Sequence, residues 1–259
     1  MQGAANRWSS RSGNGIARVG PPQGAKIATP RRTCAIRSLR LLSWRTVPQA
    51  PTPNRAIVVL ARAPELGRVK TRLARELGEA AALAAHRELG AWAFAAASGL
   101  ADCEIVVSYT PPDREALVRA WLGGARGYEP QVDGDLGGRM LAAITNRCAV
   151  GAGKVLMIGT DCPELGADLL ETAFGKLNRA DAVLGPAADG GYYLVGMTRP
   201  IPELFQGVPW STPATLSVTL EHAAAARVRV ALLEQRRDVD TAADWAAWRA
   251  ARGAAAAAD

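Results

Sequence analysis

Hydrophobic and polar positions follow two different periods along residues 55–252. Short apolar runs predict buried strands, and longer stretches with apolar residues three and four positions apart predict helices. The predicted strands are AIVVLA (56–61), EIVVSY (104–109), KVLMIG (154–159), DAVLGP (181–186), YYLVGM (192–197) and RVRVALL (227–233). The predicted helices span 79–97, 113–122, 136–149, 166–178, 213–226 and 241–250, the last with Asp240 as its N-cap.

This alternation of strands and helices predicts an α/β fold with a mainly parallel sheet. The AADGG segment between the fourth and fifth predicted strands is short enough to join an antiparallel pair. In open α/β sheets, ligands bind beyond the carboxyl ends of the strands. The residues that follow each predicted strand are therefore the candidates for function.

Charge divides the chain into two parts. Of the 31 lysine and arginine residues, nine lie in residues 1–54, which contain no acidic residue, so the remainder carries 22 basic and 24 acidic residues. We expect residues 1–54 to be a disordered basic extension, residues 55–252 to form one domain, and residues 253–259 to be an Ala-rich tail. The extension has the composition of an organellar transit peptide, or it is a tail without a role. The near-neutral domain gives no indication of nucleic-acid binding.

The cysteine, histidine and hydropathy patterns argue against a disulfide-bonded protein, a zinc protein and a membrane-spanning protein. The four cysteines form no C-x-x-C pair, and the two histidines have no zinc-site spacing. The sequence therefore favours a reducing, cytoplasmic location without disulfides. The longest apolar stretch, AWAFAAASGLA (91–101), is too short to cross a membrane.

A basic loop follows the first predicted strand. The segment ARAPELGRVKTRL contains Arg62, Gly67, Lys70 and Arg72 just before and within a helix start. Backbone N–H groups at a helix start favour an anion, and arginine binds phosphate with two parallel hydrogen bonds. The loop therefore predicts a phosphate site, although it lacks the Walker pattern; the alternative is a solvated basic surface paired with nearby glutamates.

Carboxylates follow two of the other strands. Asp161 comes directly after KVLMIG, where it would hold Mg²⁺ or cap the next helix. The segment RRDVDT provides Asp238 and Asp240, one of which is a candidate for a second metal-facing carboxylate. Together with the basic loop, these acids predict a metal-bridged phosphate ligand.

Glycines and hydroxyl groups mark two more candidate segments. Asp189 precedes Gly190 and Gly191, which allow a ligand to approach the backbone closely or form an ordinary hairpin turn. The loop VPWST places Trp210 beside Ser211 and Thr212, where an aromatic ring can stack on a sugar or a base or can belong to the core.

The segment DGDLGGRM is a further polar, glycine-rich loop. It contains Asp135 and Arg139, which could line a nucleotide pocket. In the alternative interpretation, Asp135 is simply the cap of the helix that follows.

In order and spacing, ARAPELGRVKTRL, GDLGGRM, IGTDCPEL, LGPAADGGYYLVG, PWST and DVDT resemble the nucleotide-diphospho-sugar transferase superfamily with the GT-A fold. The likeness covers about residues 55–250 and is greatest to a bacterial glycosyltransferase-like branch, some of whose members are associated with arsenosugar biosynthesis. The resemblance implies a Rossmann-like three-layer sandwich with a mainly parallel mixed sheet. It also implies a nucleotide bound with Mg²⁺ or Mn²⁺ at the strand ends.

Carried onto this chain, the resemblance implies roles for the candidate residues. Lys70, Asp161 and Asp189 would be catalytic, with Asp189 as the base for the acceptor hydroxyl and Asp161 and Asp240 as metal ligands. Nucleotide and phosphate binding would involve Arg62, Gly67, Lys70, Arg72, Asp135 and Arg139. The acceptor would bind at Gly190, Gly191, Trp210, Ser211 and Thr212.

Two positions depart from the pattern of the family. Many relatives have D-x-D where this chain has the single acid of TDC, and position 62 is arginine where the branch usually has lysine. The function predicted first is transfer of a sugar from a nucleotide-diphospho-sugar to a small-molecule acceptor. The single Asp161 fits equally the guanylyltransferase-like nucleotidyltransferases, which use an NTP and a phosphorylated small molecule. A non-catalytic nucleotide-binding protein is the third alternative.

Overall fold

The computed structural model describes residues 54–256. The expected disorder of residues 1–53 and the last three residues of the predicted tail lie outside this range. The seven strands are β1 (Arg55–Arg62), β2 (Cys103–Thr110), β3 (Gly127–Pro130), β4 (Lys154–Ile158), β5 (Ala182–Pro186), β6 (Tyr192–Met197) and β7 (Val230–Leu232). The α-helices are α1 (Thr71–Leu77), α2 (Glu79–Ser98), α3 (Glu115–Trp121), α4 (Leu136–Ala149), α5 (Ala167–Lys176), α6 (Thr215–Ala225) and α7 (Ala242–Ala256).

The strands form one mixed sheet in the order β3-β2-β1-β4-β6-β5-β7. Strand β6 runs antiparallel to β4 and β5, and the other neighbouring pairs are parallel. Arg62 at the end of β1 is in register with Thr110 at the end of β2. The carboxyl ends of β1, β2, β3 and β4 therefore meet at one edge, and the predicted α/β fold with a mainly parallel mixed sheet is confirmed.

Alternating side chains of the central strands pack against helices on both faces of the sheet. On one face, Ile57 and Val59 belong to a core that includes Leu170 and Phe174 of α5. On the other face, Val58 packs in a core with residues of α4 and α6. Because both faces of the parallel strands are covered, these strands appear in the sequence as continuous apolar runs.

Three local features differ from the sequence predictions. Strand β3 was not predicted, because GYEP has no apolar run and pairs only with the edge of β2. Helix α7 extends to Ala256, beyond the predicted end at residue 250. The prediction that Asp240 caps α7 is wrong: Thr241 Oγ1 accepts a hydrogen bond from the backbone N–H of Asp244, and the Asp244 carboxylate accepts one from that of Thr241.

The cysteines and the helix lengths of the described residues are two further features of the fold. Cys103, Cys148 and Cys162 are free thiols. Among residues 54–256, no helix combines the length and the apolar character that crossing a bilayer requires.

Candidate active site

Two neighbouring cavities open at the carboxyl edge of the sheet. The acidic cavity has a volume of about 340 Å³ and includes the four carboxylates Asp161, Asp189, Asp238 and Asp240 in its lining. The β1 cavity has a volume of about 400 Å³ and lies over the ends of β1 and β2. Asp161 lines both cavities and therefore stands at the boundary between them.

Lys70 provides the cation at the centre of this edge. Its backbone adopts the left-handed conformation, with φ of 45° and ψ of 49°, just before α1 begins. Its Nζ lies 2.7 Å from Asp161 Oδ1 and 3.3 Å from Asp240 Oδ1, and donates to the backbone oxygen of Val239 at 2.6 Å. The Lys70 side chain is only 4% exposed, so its charge offsets the neighbouring carboxylates instead of facing solvent.

Asp240 is held by two cations. Its Oδ1 faces Lys70, and its Oδ2 lies 3.4 Å from Nη1 of Arg72. The Arg72 side chain is 70% exposed and lines the acidic cavity. The alternative of a solvated basic helix start expects Arg72 to pair with a nearby glutamate. Among the described residues, Arg72 pairs with Asp240 and with no glutamate.

Asp238 has a different environment from Asp240. Burial and the negative charges of Asp161, Asp189 and Asp240 raise the pKa of Asp238 to about 7. No ion pair of Asp238 occurs among the described residues, in contrast to the two cations on Asp240. Asp238 is therefore the carboxyl group whose charge a bound cation would stabilise most.

The first loop also contributes to the β1 cavity. Arg62 and Arg68 line it, and both are exposed. Gly67 has a φ of 72°, a conformation that glycine adopts without strain. His86 from α2 is buried, and its Nε2 donates to the backbone oxygen of Arg62 at 2.9 Å, which fixes the end of β1.

The turn between β5 and β6 points Asp189 into the acidic cavity. Asp189 Oδ1 accepts a hydrogen bond from the backbone N–H of Gly191 at 2.9 Å. A Cβ at Gly190 would lie 2.3 Å from the backbone oxygen of Pro213. The group that approaches Gly190 closely is therefore the protein's own chain, whereas Gly191 lines the cavity.

Trp210, Ser211 and Thr212 all line the acidic cavity. The Trp210 ring packs on Gly137 of α4, where a Cβ would lie 2.5 Å from Cζ2 of the ring. Ser211 has a φ of 60°. Gly137 was not singled out from the sequence, because only the packing of the two segments reveals why this position lacks a side chain.

Asp135 and Arg139 are not brought to the two cavities. Asp135 caps α4: its Oδ1 accepts a hydrogen bond from the backbone N–H of Gly138 at 2.8 Å. Arg139 lies one turn into α4 and is absent from the lining of either cavity. The capping alternative for Asp135 therefore has direct structural support, and a nucleotide contact by these two residues has none.

The carboxylate oxygens of this site fit a hard divalent cation whose coordination is completed by a bound ligand. Within residues 54–256, no group of three or more histidine, cysteine, aspartate or glutamate side chains is arranged to hold a metal ion. Mg²⁺ is typically bound by one or two carboxylates plus water and substrate phosphates. Asp161 and Asp238 offer carboxylate oxygens of that kind in the lining of the acidic cavity, and Asp161 also lines the β1 cavity.

Known proteins share both sequence and fold with this chain. Residues 93–212 match the model of DUF2064, a family described as uncharacterized and conserved in bacteria. A candidate nucleotide-diphospho-sugar transferase of Desulfovibrio desulfuricans G20 is 32% identical, with a TM-score of 0.69; the match covers 73% of this chain and 83% of that one. No functionally curated protein matches the sequence.

More distant structures share the fold alone. CMP:2-keto-3-deoxy-manno-octonic acid synthetase, solved with CTP, is 17% identical with a TM-score of 0.52 over 77% of this chain and 98% of that one. A cytidylyltransferase from Leptospira borgpetersenii serovar Hardjo-bovis is 15% identical with a TM-score of 0.51, over 74% and 83%. With a relative at 32% identity that is covered over 83% of its length, the chain belongs to the nucleotide-diphospho-sugar transferase superfamily.

Proposed function

We propose that this protein is a metal-dependent glycosyltransferase that moves a sugar from a nucleotide-diphospho-sugar to a small-molecule acceptor. The observation that carries the proposal is the position of Asp161, which lines both the β1 cavity and the acidic cavity. A donor whose nucleotide occupies the β1 cavity would place its diphosphate at this boundary. Its sugar would then enter the acidic cavity, where an acceptor can reach it.

The cations of the first loop suit the diphosphate. Arg62 and Arg68 line the β1 cavity, and the exposed Arg72 lines the acidic cavity on the other side of Asp161. Lys70 lies beneath the boundary and holds Asp161. When the bond to the sugar breaks, negative charge grows on the departing diphosphate, and such fixed cations stabilise that charge.

Asp161 and Asp238 are the residues that would hold Mg²⁺ or Mn²⁺, with the diphosphate completing the coordination. A bound divalent cation supplies Lewis-acid stabilisation of the leaving diphosphate. Asp240, which binds Lys70 and Arg72, would act as a positioning residue for these cations instead of as a metal ligand.

The acidic cavity would bind the acceptor. Trp210 offers an aromatic surface, and Ser211 and Thr212 offer hydroxyl groups in the same wall. Asp189 has one carboxylate oxygen fixed by the Gly191 N–H, which orients the group toward the cavity as a base for the acceptor hydroxyl.

Nucleotidyl transfer from an NTP to a phosphorylated small molecule is the second candidate. It is favoured by the position of Asp238, which lines the acidic cavity together with Asp161. Metal sites for phosphoryl chemistry require two carboxylates, and these two residues provide them. The four carboxylates of the acidic cavity weigh against an additional phosphate on the acceptor, because like charges repel.

Thermal unfolding with nucleotides separates these candidates. Melting temperatures are measured with nucleoside diphosphates, NDP-sugars and NTPs, each with and without Mg²⁺ or Mn²⁺. A metal-dependent rise with an NDP-sugar and none with NTPs supports glycosyl transfer, and the opposite pattern supports nucleotidyl transfer. The absence of any metal-dependent rise would contradict both, and a rise without turnover of any donor would leave a binding protein.

A matched pair of variants tests the assigned carboxylate. Asp161→Ala is expected to abolish the metal dependence of the nucleotide-induced rise in melting temperature. Asp133→Ala, which changes an exposed aspartate outside both cavities, is expected to keep it. Metal dependence that survives in Asp161→Ala would show that the ligand is a different residue.

A further inference from the structure

The far end of the β1 cavity contains an amide side chain with a fixed orientation. Gln131 follows β3 and lines the cavity, and the strand order β3-β2-β1-β4 places it on the opposite side of β1 from Asp161, which follows β4. Its Nε2 donates to the backbone oxygen of Ser108 at 3.0 Å and to that of Ala61 at 3.4 Å. Gln131 therefore bridges the ends of β1 and β2.

These two contacts decide which way the amide group faces. Both partners are carbonyl oxygens, which only accept hydrogen bonds, so the side-chain nitrogen must lie toward them. A flipped amide would place Oε1 against two other oxygens. The Gln131 Oε1 is thus held on the opposite side of the amide from the strand ends, and it has no hydrogen-bond partner among residues 54–256.

The neighbouring backbone oxygens at this edge are already satisfied. His86 donates to Arg62, the backbone N–H of Ala63 donates to Thr110, and that of Gln131 donates to Tyr109. Gln131 Oε1 is a fixed acceptor in this part of the cavity lining to which no donor among residues 54–256 is hydrogen-bonded. A ligand that occupies this end must bring a hydrogen-bond donor, since an acceptor facing Oε1 would leave both groups unpaired.

We infer that Gln131 contacts the nucleobase and selects nucleotide-diphospho-sugars whose base carries an exocyclic amino group. The inference rests on the proposed function, in which the diphosphate lies at Asp161 and the base at the opposite end of the β1 cavity. An amino group presents two N–H donors, and the ring carbon that carries it bears no carbonyl oxygen. The N3–H of uracil lies between two carbonyl oxygens, which would face Oε1 and the strand-end carbonyls of Ala61 and Ser108.

Titration calorimetry with Mn²⁺ present tests this specificity on the wild-type protein. GDP, CDP and ADP carry an amino group, and IDP and UDP are the counterparts without it. The preferred amino-bearing nucleotide is expected to bind about tenfold more tightly than its counterpart, the size of one well-formed hydrogen bond with a penalty for the unpaired acceptor. UDP or IDP binding as tightly as, or more tightly than, CDP or GDP would overturn the inference.

Variants connect the preference to the side chain. Gln131→Met removes the acceptor and is expected to reduce the difference between paired nucleotides to less than twofold, while Val132→Ala, an exposed neighbour, keeps it. Circular dichroism and melting temperature verify that both variants are folded. A preference that persists unchanged in folded Gln131→Met would also overturn the inference.

The result distinguishes this inference from the proposed function. If nucleotides bind in a metal-dependent manner but without base preference, the proposed function stands and the role of Gln131 is wrong. If no nucleotide binds, the proposed function itself is wrong, and the specificity assigned to Gln131 is wrong with it.

Discussion

Replacing Gly137 by alanine tests how the structure holds Trp210 in the acidic cavity. An ideal Cβ at this position would lie 2.5 Å from Cζ2 and 2.9 Å from Cε2 of the Trp210 ring, and 3.0 Å from the backbone oxygen of Phe205. Ordinary contacts begin at about 3.4 Å, so the Trp210 ring must shift by roughly 1 Å or adopt a different position. Because the opposing Phe205 atom belongs to the backbone, it cannot yield as a flexible side chain does.

The expected cost follows from two opposing terms. Overpacking of this kind lowers the free energy of unfolding by about 1–3 kcal/mol. Replacement of glycine by alanine in a helix raises it by up to about 1 kcal/mol. Gly137→Ala is therefore expected to lower the free energy of unfolding by about 1–2 kcal/mol. Gly138→Ala is the matched control, since its Cβ would meet only the Asp135 side chain, at 3.3 Å, and it should be neutral or slightly stabilising.

Urea and thermal unfolding of the two variants measure the difference. About 2 kcal/mol between them corresponds to a gap of roughly 5 °C in melting temperature for a domain of this size. Gly137→Ala should also weaken acceptor binding more than nucleotide binding, because Trp210 lines the acidic cavity and not the β1 cavity. Equal stability of the two variants, with Trp210 unmoved in a crystal structure of Gly137→Ala, would refute this reasoning.

Three further predictions concern buried ionisable groups. Lys70→Met leaves Asp161 and Asp240 without their shared ammonium partner, so the metal-free protein should lose about 2 kcal/mol in urea unfolding, and a stability equal to wild type would contradict the ion-pair assignment. Burial lowers the pKa of His86, so below about pH 6.5 the unfolded chain binds a proton that the native state does not, and stability falls. His86→Gln, which can still donate to the same backbone oxygen, should flatten that loss between pH 7.5 and 5.5; an unchanged slope would implicate another group. The pKa of Asp238 is raised to about 7, so its contribution to stability is full below about pH 4 and is lost as the pH rises through 7. With a chelator at pH 8, Asp238→Asn should therefore have a higher melting temperature than wild type, and its free energy of unfolding should be higher by up to about 4 kcal/mol. The melting temperature of this variant should no longer rise with Mn²⁺ and nucleotide. A melting temperature below that of wild type would refute the assignment.

Most of the sheet could be predicted from the sequence, because its central strands are buried on both faces. Each such strand needs a continuous apolar run whatever its neighbours are, so β1, β2, β4 and β6 are visible locally. Strand β3 has no such run and forms because the exposed edge of β2 offers backbone partners. Its presence then places Gln131 at the sheet edge, a position that no local pattern indicates.

The sequence also determined which loops gather at the candidate site, since parallel strands end at a common edge. Only the tertiary structure decided what each side chain does there. Lys70 is a buried partner of Asp161 and Asp240 because segments that are distant in the sequence, 170 positions apart for Lys70 and Asp240, meet at that point. Gly190 is closed by Pro213 and Gly137 is covered by Trp210 for the same reason: both contacts join segments that are separate in the sequence, and close packing is a property of the assembled chain.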